Sequence, residues 1–272
     1  MPETESALNL KLDGVTLTYP NGIRALDGVS LSAPHGQFLA VIGPNGSGKS
    51  TLLRAIAGLQ PLDSGTLFLD GQLIDTMPPL ERSRRVALVP QSLEIQPGYS
   101  VEDFVLGGRY SHLSGWRLFS KHDHAVAHES LKQVDAFQFL NRGMDEMSGG
   151  ERQRVLIARA LAQETRTILL DEPTSALDIQ HQLMVYRLIH GLQKIGKRSV
   201  VVVTHDLNLA SQFADRLLLM CCGKVMGEGT PAEVLRPEFL ARVYNTDLAY
   251  GVFGGTVSGG GRPWVLPWAK DL

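Results

Sequence analysis

Cysteine is scarce in this chain: two in 272 residues, Cys221 and Cys222, side by side at the end of the apolar run LLLMCC. Neighbouring cysteines suit neither an ordinary disulfide nor a metal site that needs two further ligands. That excludes a disulfide-stapled scaffold and leaves a pair of buried thiols in a reducing compartment as the expectation. Long hydrophobic runs are missing too. No stretch approaches 18 apolar residues, so no segment reads as a membrane-spanning helix. The opening MPETESALNLKLDG carries no basic segment followed by an apolar one, so no secretory signal is expected. Charge of one sign is not in excess: 26 Lys and Arg stand against 28 Asp and Glu, for a formal net charge of −2. A nucleic-acid or anionic-membrane surface is therefore not advertised. At 43% hydrophobic and 20% charged, the composition excludes wholesale disorder.

What is present is a rhythm. Short apolar runs bounded by turn residues recur at 38–43, 66–70, 86–90, 167–173, 199–206 and 216–222, several of them continuous rather than alternating. Continuous runs suit parallel strands covered on both faces. Helical patterns lie between them at 49–59, 124–137, 150–163, 177–195 and 207–214, so the fold class is α/β with a largely parallel sheet. The alternating segments 10–19 and 25–33 predict an antiparallel edge layer. Residues 92–148 break the rhythm and predict a mostly helical insertion. The tail, TDLAYGVFGGTVSGGGRPWVLP, predicts strand, glycine-rich turn, strand.

Two glycine-bearing segments carry the chemistry. The first is GPNGSGKST, spanning Gly43, Pro44, Asn45, Gly46, Ser47, Gly48, Lys49, Ser50 and Thr51. It follows an apolar strand and opens a helix, so successive N–H groups can curl around phosphate oxygens. Lys49 would reach the β- and γ-phosphates, and Ser50 would put its hydroxyl on Mg²⁺. TILLDEP then supplies Asp171 at a strand end as the metal-side carboxylate, with Glu172 placed to polarise an attacking water. Gln91 and His205 also follow strands at this edge. Each has a plainer reading, as a polar turn residue and as part of a helix start. The second segment is Ser148-Gly149-Gly150-Glu151, where bare backbone opens another helix and exposes unpaired N–H groups.

In these residues the chain resembles the ATP-binding cassette (ABC) ATPases, and the likeness runs in order through nearly all of it. Tyr19 resembles the aromatic that stacks on adenine, Gly43–Thr51 the Walker A loop, and Gln91 the Q-loop glutamine, a Mg²⁺ ligand. Ser148 to Glu151 resemble the family signature, with Met147 where Leu is usual. Asp171-Glu172 match Walker B, Ser175-Ala176-Leu177-Asp178 the D-loop, and His205 the switch histidine. The resemblance implies a P-loop NTPase (RecA-like) fold with ATP and Mg²⁺ as cofactors. It also implies a head-to-tail homodimer in which Ser148, Gly149, Gly150, Glu151 and Asp178 contact the partner's ATP. The implied layout is a nucleotide-binding core at 1–91 and 165–245, a helical subdomain at 92–164 and a β-hairpin tail at 246–272.

The family's single cassettes mostly serve separate membrane subunits. The implied partners are a second copy, two integral membrane permeases and a substrate-binding protein, with no nucleic acid. The implied place is peripheral, on the cytoplasmic face of the inner membrane. VLGGRYSH (105–112), THDLNLASQFADR (204–216) and the tail resemble importers of metal chelates: iron–siderophore, haem or cobalamin. Importers of zinc or manganese, then of other small solutes such as polar amino acids, are the alternative within transport, and a soluble non-transport ABC ATPase is the alternative outside it. His122, His124 and His128 include an i,i+4 pair able to bind metal, but with no further ligand in sight they read as a solvated helix face. Leu93, Ile95, Tyr99, Val101 and Phe104 suggest a shallow groove for a permease helix, with Glu94 to Ser100 as the contact. Val101 and Phe104 also suit the insertion's own core.

Overall fold

The structure, a computed structural model, describes residues 8–113, 118–175, 177–254 and 261–268. It opens with β1 (Leu8–Thr18), β2 (Arg24–Pro34), β3 (Phe38–Ile42), α1 (Lys49–Ile56), β4 (Ser64–Leu69) and β5 (Gln72–Leu73). Next come α2 (Pro79–Arg82), β6 (Val86–Val89), α3 (Val101–Leu106), α4 (Lys121–Gln133), α5 (Gly149–Ala162) and β7 (Thr167–Asp171). The chain continues through α6 (Ile179–Gly196), β8 (Ser199–Val203), α7 (Leu207–Phe213), β9 (Arg216–Cys221) and β10 (Lys224–Gly229). It closes with α8 (Pro231–Val234), α9 (Pro237–Val243), β11 (Leu248–Phe253) and β12 (Arg262–Pro267).

The six-stranded sheet runs β10-β9-β3-β8-β7-β6, parallel throughout except for β10. Its central strands β3, β7 and β8 are buried at every position, which is why their sequences read as unbroken apolar runs. Alternate residues still face different partners. Phe38, Ala40 and Ile42 join the core shared with α5 and α6, while Leu39 and Val41 join the core shared with α1 and the antiparallel layer. That layer is a four-stranded sheet, β2-β1-β4-β5. The run 66–70 belongs to it, because β4 pairs antiparallel with β1.

Between β6 and β7 the described chain forms α3, α4, α5 and short 3-10 turns. The helix expected over 124–137 instead spans Lys121–Gln133. Ser120 and Asp123 form a reciprocal capping box that fixes its start, a signal stronger than the apolar spacing. β11 and β12 pair antiparallel, and Asn208 and Ser211 of α7 hold β12 through the backbone of Val265 and Pro263. Most of the VSGGG turn, like Ala176, lies outside the described residues.

The cysteines correct the expectation of two buried thiols. β9 ends at Cys221, and Cys222 with Gly223 forms the two-residue turn into β10, at φ 49° and 77°. Both central residues of such a primed turn need positive φ, which lifts Cys222 into solvent.

Candidate active site

The phosphate-loop candidate connects β3 to α1. Gly43 and Gly48 take φ 147° and 99°, and a Cβ on either would run into a backbone carbonyl, of Met220 or Ala25. Only glycine fits both conformations. Lys49 is buried and folds back so that Nζ donates to the Gly43 and Pro44 carbonyls, each at 2.9 Å. Burial lowers its pKa, and the Glu172 and Asp171 carboxylates oppose that shift. The Ser47 hydroxyl is buried inside the loop and has no hydrogen-bond partner among the described residues. An orphaned donor beside a ring of N–H groups suits a phosphate oxygen.

Four strand ends converge on this edge. β3 leads into the loop, β7 ends at Asp171, β6 reaches Gln91 two residues on, and β8 reaches His205 likewise. Parallel register aligns them, with Asp171 beside Val203. Ser50 Oγ donates to Asp171 Oδ1 at 2.9 Å. Burial raises the Asp171 pKa, opposed by the Ser50 hydrogen bond, and the neighbouring Glu172 raises it further. Two oxygens, one anionic and partly desolvated, fit a hard divalent cation such as Mg²⁺.

Glu172 is the hub of the cluster. Gln91 Nε2 donates to its Oε2 at 3.0 Å, and His205 Nδ1 lies 3.5 Å from the same oxygen. Its backbone has φ 46°, uncommon for a residue with a side chain, and its N–H bonds to the Val203 carbonyl. The turn aims the carboxylate over the sheet edge rather than along the strand. Gln91 and Glu172 also line a cleft of about 230 Å³ with Gly149, Arg152 and Gln153. Gln153, which no sequence motif marks, has a buried amide nitrogen with no hydrogen-bond partner among the described residues.

Tyr19 stands at the end of β1, where its hydroxyl and Thr51 Oγ1 are 3.0 Å apart, linking it to the first turn of α1. The second cradle is a well-capped helix start. Ser148 is the N-cap of α5, and the Glu151 carboxylate returns to the Ser148 N–H and hydroxyl, both at 2.8 Å. These bonds lower the Glu151 pKa. Its carboxylate is thus committed to the cap and to Arg142. A Cβ on Gly150 would crowd His181 of α6, so that glycine also serves packing within its own chain. Asp178 caps α6 and bonds the His181 N–H and ring. Among the described residues, no hydrogen bond joins Gly43–Thr51 to Ser148–Glu151. The two cradles do not cooperate within one chain through such contacts.

Val101 and Phe104 are buried in the insertion's own core, as expected, and Ile95 packs against it instead of opening a groove. Leu93 stays exposed and lines a groove of about 620 Å³ with exposed Leu59, Leu80 and Tyr110. The histidine pair on α4 does have a carboxylate beside it. Glu102, from α3, accepts from His124 Nδ1 and His128 Nε2 through one oxygen, each at 2.8 Å. His122 stays outside the cluster. Glu102 escaped notice because it lies 22 residues from His124 and no local pattern joins them.

A family model described as ABC transporter matches residues 26–175. The hemin import ATP-binding protein of Rhodococcus jostii (strain RHA1) is 42% identical over 245 residues, 89% of this chain and 82% of that one. A solved ABC transporter of metal-chelate type, in an inward-facing conformation, is 29% identical with a TM-score of 0.84, covering 97% of this chain and 98% of that one. An ATP-binding cassette solved as a dimer in a post-hydrolysis state, with ADP and Pi, is 32% identical with a TM-score of 0.73, covering 82% and 98%.

Proposed function

The chain belongs to the ABC transporter family, and from that premise we propose that it is the ATP-hydrolysing motor of an importer for metal chelates. The observation that carries this reading is the convergence of Gln91, His205 and Glu172 on one oxygen beside the Lys49 loop. Metal-chelate cargo, of the iron–siderophore, haem or cobalamin kind, is supported by similarity to a hemin import protein and to a metal-chelate transporter over nearly the whole chain.

In the proposed mechanism Tyr19 stacks on adenine and the loop from Gly43 to Thr51 wraps the phosphates. Lys49 exchanges its two carbonyl partners for phosphate oxygens, relieving a buried cation of poor compensation. Ser50, Asp171 and Gln91 would hold Mg²⁺, which supplies charge neutralisation on the phosphates when bound. Glu172 takes the proton of the attacking water, and His205 and Gln91 fix its orientation. Ser148, Gly149, Gly150 and Asp178 serve the ATP of a second copy across a two-fold dimer. Glu151 acts indirectly, by setting the helix start that presents those N–H groups. No helix among the described residues is long and apolar enough to cross a membrane. In this proposal two permease subunits carry the cargo across, with this chain peripheral on the cytoplasmic side of the inner membrane and a binding protein delivering the cargo. The groove between Leu59, Leu80, Leu93 and Tyr110, next to the segment that follows Gln91, is proposed to receive a cytoplasmic helix of the permease.

Isolating this chain from native membranes through a tag, in mild detergent, tests the assignment. Two permease polypeptides and a bound iron or cobalt chelate, identified by mass spectrometry, are expected. Recovery of the chain with nucleic acid or with soluble proteins alone would overturn it.

A further inference from the structure

Away from the nucleotide edge, α3 and α4 bring three metal-ligating groups together. His124 and His128 lie one turn apart on α4, so both imidazoles leave the same face. Glu102, in the first turn of α3, meets them from the neighbouring helix. Nδ1 of His124, Nε2 of His128 and a carboxylate oxygen of Glu102 all lie within 4.8 Å of one another. Three ligands about 2 Å from a shared ion sit at separations of this order, so a small opening of the cluster would admit one.

The support is rigid. Ser100 caps α3, the Glu102 N–H bonds to the Leu140 carbonyl, and α4 starts from its capping box. Phe104 and Val105 of α3 pack in one core with Ala127 and Leu131 of α4. The His128 ring meets the edge of Phe137, whose ring also carries the Lys132 ammonium, so that cation is turned to Phe137. One side remains open, since His124, His128 and Glu102 expose 44%, 32% and 26% of their side chains.

We infer that Glu102, His124 and His128 form a binding site for one divalent transition-metal ion of the Zn²⁺ class, clamping α3 to α4, with a coordination position left to water or an outside ligand. Two imidazoles and one carboxylate are the donor set of open zinc sites and of ferrous facial triads. Both rings now present N–H to the same oxygen. On metal binding each neutral ring carries its proton on the other nitrogen and offers the lone pair. α3 follows directly on the segment from Gln91 to Ser100, so metal occupancy stiffens the path between the nucleotide edge and the helical subdomain.

The test uses the full chain, purified without a histidine tag, stripped with chelator and free of nucleotide. Co²⁺ and Zn²⁺ are titrated separately, following Co²⁺ visible absorption and Zn²⁺ calorimetry. The expected result is one equivalent per chain with the intense visible bands of four- or five-coordinate Co²⁺, and a higher thermal midpoint with Zn²⁺. His124→Asn with His128→Asn should abolish that equivalent, and Glu102→Gln should weaken it by about tenfold or more. His205→Ala should keep it, which separates this site from the nucleotide cluster. Far-UV circular dichroism checks folding, and the single histidine variants decide the matter if the double variant unfolds. No uptake by the wild-type chain, or uptake unchanged in the histidine variants, overturns the inference.

Discussion

Glu172 draws two other strand-end side chains to one oxygen. Gln91 Nε2 and His205 Nδ1 both approach its Oε2, and it sits on a backbone turn that costs about 1–3 kcal/mol when a side chain is present. A cost of that kind persists at sites where geometry matters more than local stability. Glu172→Gln keeps size and hydrogen bonding but cannot take a proton. Steady-state ATPase should fall by roughly 10²–10⁴-fold while ATP affinity, measured with a fluorescent analogue, stays within about threefold. Hydrolysis near the wild-type rate would remove Glu172 from the role of base. These residues were legible in the sequence because each ends an apolar run, and strand ends meet at one edge of a parallel sheet. The positive φ of Glu172 was not, since neither glycine nor asparagine marks it. Nor was Glu102, whose partners come from another helix.

Among the elements, α4 shows how the helical segment is held. Its first turn delivers Asp123 to buried Arg109, which also bonds the Ala162 carbonyl and Glu164. Hydrogen bonds from Ser120 first, and the Arg109 guanidinium after them, hold the Asp123 pKa down to about 2. A carboxyl lowered on folding stabilises the protein above its unfolded pKa and loses that contribution as the pH falls through the folded one. Asp123→Asn should therefore destabilise by about 2–3 kcal/mol near neutrality, from the weakened cap and a buried guanidinium short of a charge partner. In urea denaturation, the gap to wild type should shrink as the pH drops below about 4. A gap that does not vary with pH would show that the charge plays no part. Periodicity located this helix but misplaced it by three to four residues, because its start is set by a cap and not by apolar spacing. The parallel strands were read closely because burial on both faces leaves an unbroken apolar signal.

For the whole molecule, the fold gathers the Lys49 loop, Gln91, Asp171, Glu172 and His205 at the strand ends of β3, β6, β7 and β8. It offers a second, capped phosphate-type cradle at α5 that no hydrogen bond among the described residues connects to the first. Two cradles in one chain make sense if each completes the other's site in a second copy. The mass of the Glu172→Gln chain by light scattering, with and without saturating ATP, tests this most directly. A shared site gives 29.7 kDa without nucleotide and twice that with ATP, the doubling lost when Ser148→Arg is added to the same chain. A Glu172→Gln chain that binds ATP and keeps the mass of one copy, or a dimer indifferent to Ser148→Arg, would contradict the shared site.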